Sequence, residues 1–410
     1  MAKRFPKLLA LCGVLFLGSS VFLGASAAET RPSRQTACAY LADQVDQAPP
    51  GPLFLPSYPT AEPGPLHGTA FLDDNAVAAR ALVGCGAKDK AGRIGAAILW
   101  AMENDRVWRD GRLRNAYAAG PLGKGPAKLA GWWDAGQNKW LEDGYQVGSD
   151  TGNMAWAMLA LLAVDETGAR TRFRDGAARL GTWITRWSDK RAPVGFTGGT
   201  FGHEPTPTVH MWKSTEHNTD LAAAFALLAA RTGEPRWRDM TGRARQFVEA
   251  MWNPGCGCFA AGTGADGVTR NLTFALDAQI WPLTALPGAA KKYMPAIASA
   301  EKRLGVSGGF AYGEDRNGVW TEGTAQAALL LKLLGQTEKA KVLATTIESQ
   351  RAPDGGFYAT SANALATGFG LDTDPTKPRL YFKLPHLGAV SWVALQEQAF
   401  NPFTATKTLP

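Results

Sequence analysis

SDTGNMAWAMLALLAV, residues 149–164, opens on a short polar cluster and then runs apolar on every face. An α-helix with no polar side has nothing to turn toward water, so it must be enclosed by protein. The same design recurs five times: LDDNAVAARALV (72–83), STEHNTDLAAAFALLAA (214–230), FALDAQIWPLTAL (274–286), TEGTAQAALLLKLL (321–334) and PHLGAVSWVALQEQAF (385–400). Between these lie helices of another kind: KDKAGRIGAAILWAMEN (88–104), RFRDGAARLGTWITRW (172–187), PRWRDMTGRARQFVEAMW (235–252), AAKKYMPAIASAEKRL (289–304) and TEKAKVLATTIESQ (337–350), with TACAYLADQVDQ (36–47) as a sixth. Their apolar residues recur at i, i+3, i+4 and i+7 and leave one charged face. Alternation of enclosed and one-faced helices predicts two concentric layers: an all-α, six-hairpin (α/α)6 toroid, with residues 28–410 as a single domain. An open solenoid of stacked helix pairs would repeat evenly. Here the polar markers Asp74, Asp150, Glu216, Asp277, Glu322 and His386 are spaced unevenly, by 45 to 76 residues. Paired glycines beside aromatics in TGGTFGH (197–203), SGGFAYGE (307–314) and PDGGFYAT (353–360) allow short β-hairpins on the rim.

Residues 1–27 read as a secretory leader, with Lys3, Arg4 and Lys7 at its start, an apolar run from Leu8 to Gly24, and Ala25-Ser26-Ala27 as the cleavage site. Export to a periplasm or the medium is the expectation, with no integral membrane segment after cleavage. The formal charge of +7 loses the three cations of the leader, and what remains is too mild and dispersed for a nucleic-acid surface. Four cysteines stay: Cys38, Cys85, Cys256 and Cys258. An even number in an oxidising compartment suggests disulfides, with Cys38 and Cys85 tying the N-terminal segment to the first enclosed helix. Cys256 and Cys258 in GCGC are spaced too closely for an unstrained bridge and leave only a strained one open, and metal binding there lacks further ligands.

The order of enclosed helices, with an acid at most of their openings and the phrases LDDNA, DTGNMAWAMLALL, KSTEHNTD, VWTEGTAQ and DGGF, resembles the six-hairpin glycosidase-like superfamily over residues 36–403. The resemblance implies an enzyme that acts on a carbohydrate where the inner helices begin. Adjacent Asp73 and Asp74 resemble, in that one feature, the catalytic pair of the endo-α-1,6-mannanase branch.

Inner helices that run parallel would bring Asp74, Asp150, Glu216, Asp277 and Glu322 around one mouth. Glycosidic cleavage needs a protonated carboxyl for the leaving oxygen and a carboxylate that activates water or attacks the anomeric carbon. Crowded acids raise at least one pKa, which keeps a proton available near neutral pH. One acid in a first helical turn is explained by the macrodipole, worth about 0.3–1 kcal/mol. Five in the same relative position argue for chemistry. Glu216 and Glu322 are the preferred catalytic candidates, followed by Asp150 and Asp74; His217 and Lys213 stand near Glu216 to tune it. Asp277, His386, Lys213 and His217 are candidates for holding substrate, and Trp133, Trp212 and Trp320 for stacking on sugar rings. The glycine-rich connection 105–148 is the candidate cleft wall. His203, His210 and His217 lack a metal-ligating spacing, so neither metal nor cofactor is expected. The expected partner is a poly- or oligosaccharide, bound by a monomer. Three alternatives fit the same scaffold: a lyase using Tyr145, Tyr312, His386 or Lys213, a sugar 2-epimerase using His217 and His386, and a glycan-binding protein without catalysis.

Overall fold

A computed structural model describes residues 35–165, 171–371 and 376–410; the expected leader, residues 1–27, lies outside the described residues. The helices among them are α1 (Ala37–Asp46), α2 (Leu72–Gly84), α3 (Lys88–Glu103), α4 (Gly144–Val147), α5 (Thr151–Val164), α6 (Thr171–Ile184), α7 (Thr215–Thr232), α8 (Pro235–Met251), α9 (Leu276–Ala285), α10 (Ala289–Lys292), α11 (Pro295–Leu304), α12 (Thr321–Leu333), α13 (Thr337–Glu348) and α14 (Leu387–Gln398). No described helix is long and apolar enough to cross a membrane.

The six apolar segments become α2, α5, α7, α9, α12 and α14. Every residue of α5 is buried, as an all-round apolar helix requires. By contrast, α6 buries Phe173, Ala177, Leu180 and Ile184 at helical spacing and leaves Arg172, Asp175 and Arg179 exposed. Around the inner set, α2 packs on α5, α5 on α7, α7 on α9, α9 on α12, α12 on α14, and α14 returns to α2. The contacts run in a cycle, compatible with the expected helical toroid. One-faced helices lie against this set, with α6 on α5, α8 on α7, α11 on α9 and α13 on α12. The segment 289–304, expected as one helix, divides into α10 and α11. Pro295 lacks an N–H and has a fixed φ, so it suits the first turn of a new helix rather than the interior of an old one.

Three tryptophans show how the inner helices are aligned. Trp156, Trp281 and Trp392 are each the sixth residue of their helices, α5, α9 and α14. Their rings meet with centroids 5.4–5.9 Å apart. The rings lie near the middle of each helix and set the level, while the first turns also meet, His386 of α14 lying against Asp74 of α2 and Glu322 of α12, and Glu216 of α7 against Asp277 of α9. The N-termini therefore open on one side of an aromatic floor, and the loops that lead into them share that side.

Short antiparallel hairpins occupy those loops. Gly199–Phe201 pairs with Thr208–His210 and with Ser149–Asp150. Gly305–Val306 pairs with Gly309–Phe310, and Trp132–Asp134 pairs with Lys139–Leu141. Around 353–360 the chain forms only isolated bridges. Two disulfides are present. Cys38–Cys85 joins α1 to the end of α2. Cys256–Cys258 also bridges, with Cα atoms 5.3 Å apart. The close spacing does not forbid it, because Gly257 at φ +59° turns the chain back through a conformation that glycine readily adopts. Closing the 47-residue interval between Cys38 and Cys85 should stabilise the fold by about 4 kcal/mol. Joint replacement of both by alanine is expected to lower Tm by several degrees in calorimetry without reductant.

Candidate active site

All six polar markers lie at or beside the first turns of the inner helices, but most are not there to cap them. Ser214 caps α7, its Oγ accepting from the His217 amide at 3.2 Å, which leaves the Glu216 carboxyl free. Asp150 precedes α5 and makes no side-chain cap bond. His386 caps its own helix, Nδ1 accepting from the Ala389 amide at 3.3 Å, and Asp277 Oδ1 accepts from the Ala278 amide in the first turn of α9 at 2.6 Å.

The acids fall into two groups. In the first, Glu216 of α7 is hydrogen-bonded to Asp277 of α9, and Tyr312 donates to Asp277 Oδ2 at 3.2 Å. Burial first, then the charges of Asp277 and Asp220, push the Glu216 carboxyl well above its ordinary value. Two carboxyls in hydrogen-bond contact cannot both ionise cheaply, so the pair keeps one proton more readily than either acid alone would. Asp220, one helical turn beyond Glu216, is fully buried, and no oxygen of its carboxyl has a well-aligned hydrogen bond; the indole of Trp156 partly offsets its burial. Burial and then Asp277 push it up as well.

In the second group, His386 Nε2 lies 3.2 Å from Asp74 Oδ2, and its Nδ1 lies 3.9 Å from Glu322 Oε2. Since Nδ1 accepts from an amide, Nε2 carries the proton and donates to Asp74. Burial alone would push the imidazole down, but Asp74 and then Glu322 outweigh it and hold His386 above its ordinary value. Burial raises Glu322 to about 8 despite His386. Burial and the charge of Asp74 raise Asp73 to about 7. Gly388 makes the convergence possible: a Cβ there would sit 2.4 Å from Asp74 Oδ1 and 3.0 Å from Glu322 Oε2. The ligating atoms of Asp74, Glu322 and His386 lie within 4.8 Å of one another, so they are the described residues that could hold a cation. Both His386 nitrogens already have protein partners, and hydrogen bonding satisfies the histidine as it stands.

The groups share one field. Asp73 acts on Glu216, Asp220 and Glu322, and Asp277 acts on Glu322. Glu216, Asp73 and Glu322 keep partial exposure, whereas Asp74, Asp220 and Asp277 are buried. Asp150 stands on the Asp73 side, where both charges act on Tyr145. Its amide donates to Asn115 Oδ1 at 2.7 Å, which also accepts from Asn153 at 2.8 Å.

Several candidates sit differently from expectation. Lys213 does not tune Glu216. Its ammonium is fully buried, 3.0 Å from Asp189 and bonded to the carbonyls of Arg191 and Pro193, because a long cation at that position reaches down between loops to satisfy itself. Trp320 is only 2% exposed; its ring packs against Tyr312 at 4.6 Å and Tyr381 at 5.8 Å, so it backs the site and offers no open face. Trp133 stands at the surface of its hairpin, 59% exposed. His217 turns away from the acids toward Thr151 and Trp212; burial and then His210 lower it to about 4. Residues missed by the sequence reading are Tyr58, stacked on His386 at 4.5 Å, Tyr381, and Arg379, whose guanidinium lies 4.8 Å over the Tyr145 ring. Tyr58 comes from a loop, and Arg379 and Tyr381 come from the short strand Pro378–Tyr381, paired with Leu365–Gly370; none of the three lies on a helix that periodicity could reveal. Asp220 was open to discovery, being four residues from Glu216 on one helix face.

The raised acids carry a stability signature. Between its ordinary value near 4.5 and about 8, Glu322 keeps in the fold a proton that the unfolded chain has lost. Its contribution is full below pH 4.5 and declines as pH rises to about 8, the other raised acids acting in the same direction. Glu322→Gln should therefore show a smaller fall in Tm between pH 5 and pH 9 than the parent protein, measured by thermal melts.

No family model matches the sequence, and no curated protein matches it. Solved structures do. A glycosidase point variant is similar at TM-score 0.60 and 14% identity, over 88% of this chain and 96% of that one. A sugar epimerase from a ruminal bacterium is similar at TM-score 0.60 and 11% identity, over 87% and 95%. An enzyme described as a novel alpha-amylase from Clostridium perfringens is similar at TM-score 0.56 and 8% identity, over 86% and 95%. At these identities the likeness is one of fold, and the fold it shows over most of this chain is one used by enzymes that act on sugars.

Proposed function

We propose that the protein is an exported, monomeric glycoside hydrolase of the (α/α)6 barrel class, cleaving a poly- or oligosaccharide by acid/base catalysis. The observation that carries this reading is the Glu216–Asp277 pair, which stores a proton at a partly exposed carboxyl, set in one field with the Asp74–His386–Glu322 group. Glu216 gives its proton to the glycosidic oxygen as the C1–O bond breaks. Water adds at C1 and passes a proton to Asp74, which His386 holds in place. Asp150 and Glu322 bind hydroxyls beside them, with Glu322 as a second proton donor. The cycle of inner helices supports the barrel, and the chemistry needs neither metal nor cofactor.

A second reading has its own observation. His386 sits among carboxylates that raise it, and two of the similar structures are described as sugar epimerases. A carboxylate of that group, rather than the already bonded His386, would remove a carbon-bound proton. Incubating a panel of glucans, mannans and xylans in H2(18)O and in D2O separates the readings. Hydrolysis places one (18)O at a new reducing end, and epimerisation places deuterium on carbon. Binding with neither label would support a glycan-binding protein.

A further inference from the structure

The GCGC turn takes no part in the chemistry proposed above, yet it is joined to the elements that carry it. Trp252–Asn253 pairs antiparallel with Cys258–Phe259, and the chain between them turns through Pro254-Gly255-Cys256-Gly257. Cys256 is exposed on that turn, whereas Cys258 is only 6% exposed in the returning strand. Their disulfide closes a ring around a single intervening residue. So short a loop constrains the unfolded chain less than the 47-residue interval of Cys38–Cys85 does, and this bridge adds correspondingly less stability. Exposed disulfides with little holding them closed are the ones that exchange with external thiols.

The strand leaving Cys258 binds both helices of the Glu216–Asp277 pair. Phe259 is clasped by Gln279 of α9, its amide donating to Oε1 at 2.8 Å and its carbonyl accepting from Nε2 at 2.9 Å. Gln279 is two residues beyond Asp277. At the opening of α7, the Thr215 hydroxyl donates to the Ala260 carbonyl at 2.6 Å and the Thr215 amide to the Ala261 carbonyl at 2.9 Å. The Thr263 amide donates to the Lys213 carbonyl at 2.8 Å, and the Lys213 amide returns a bond to Thr263 Oγ1 at 2.9 Å. Gly262 permits this approach, since a Cβ there would lie 2.0 Å from the Lys213 carbonyl oxygen. Residues 259–263 therefore set where the first turn of α7 stands relative to that of α9.

We propose that Cys256–Cys258 is a thiol-exchange site, and that its reduction by a small external thiol loosens the strand that sets Glu216 against Asp277. A thiolate attacks the exposed Cys256 Sγ, the Cys256–Cys258 bond breaks, and Cys258 leaves as thiolate. A second thiolate attacks the external sulfur of the mixed disulfide and releases Cys256 as thiolate. Two external thiols are thereby oxidised to one disulfide, and their two protons return to Cys256 and Cys258. With the ring open, the glycines on either side of Cys256 give the turn back its freedom, and the bonds of 259–263 break more often. Ser299 Oγ of α11, which donates to the carbonyls of Cys256 and Gly257 at 2.8 and 3.0 Å, keeps the opened turn docked, so the fold survives. The effect on turnover rests on the hydrolase reading; the exchange and the loosening do not.

The test places the mature protein in glutathione buffers of increasing reducing power, followed by alkylation with N-ethylmaleimide and peptide mass analysis. Cys256–Cys258 is expected to open while Cys38–Cys85 stays closed, and acid quenching is expected to trap glutathione on Cys256. Opening of Cys38–Cys85 first or at the same point, or an adduct on Cys258, would overturn the exchange site. Hydrogen exchange then compares oxidised protein, selectively reduced protein and the double variant Cys256→Ser, Cys258→Ser, with thermal melts of each. Peptides covering 213–216 and 258–263 are expected to exchange about tenfold faster without the bridge. The reduced parent protein carries this comparison if the double variant does not fold. Unchanged exchange in those peptides would overturn the coupling. Faster exchange in a protein that releases no reducing sugar would leave the switch standing and remove the hydrolase.

Discussion

Glu216→Gln is expected to fold like the parent protein and to lose about a thousandfold in turnover on a natural glycan. The amide is isosteric and can still donate to Asp277, which preserves the hydrogen bond seen between the two side chains. It cannot release a proton to the leaving oxygen. The loss should shrink on an aryl glycoside with a dinitrophenyl leaving group, which departs without protonation. Equal losses on both substrates would give Glu216 a role other than general acid, and undiminished turnover would remove it from catalysis.

Asp74→Asn is expected to cost a similar factor, about a thousandfold. The Asn oxygen can still accept from His386 Nε2, now 3.2 Å from Asp74 Oδ2, so the geometry should survive. What disappears is the proton acceptor for water. Added azide or formate should recover part of the rate if it is the missing carboxylate that matters, and kinetics with and without these anions will show it. A variant as active as the parent protein would move the acceptor's role to another acid, Asp73 being the nearest partly exposed one.

The inner helices were legible because enclosure leaves a compositional mark: beyond its polar opening α5 is apolar throughout, and α2, α7, α9, α12 and α14 are mostly so beyond theirs. The outer helices were legible from period, except where Pro295 broke one into α10 and α11. The acids were legible as first-turn residues, since position in a helix follows from chain order. Side-chain direction does not. Lys213 and Glu216 are three residues apart, yet one turns down to Asp189 and the other toward Asp277. Trp212 and Trp320 both precede inner helices, yet one lies half open on Gly198 and the other is sealed by Tyr312 and Tyr381. Nothing in their immediate sequence separates these cases.

The sequence by itself determined the number of enclosed helices, their one-faced partners, and the presence of an acid or histidine at each opening. These are local properties, set by how apolar residues repeat along a helix and by where it begins. Only the tertiary structure decided which acids share a proton. Glu216 meets Asp277 and Asp74 meets His386 across 61 and 312 positions of chain, because parallel inner helices are closed into a cycle and held level by Trp156, Trp281 and Trp392. Those pairings depend on distance and exclusion of water, which arise only once the helices are packed.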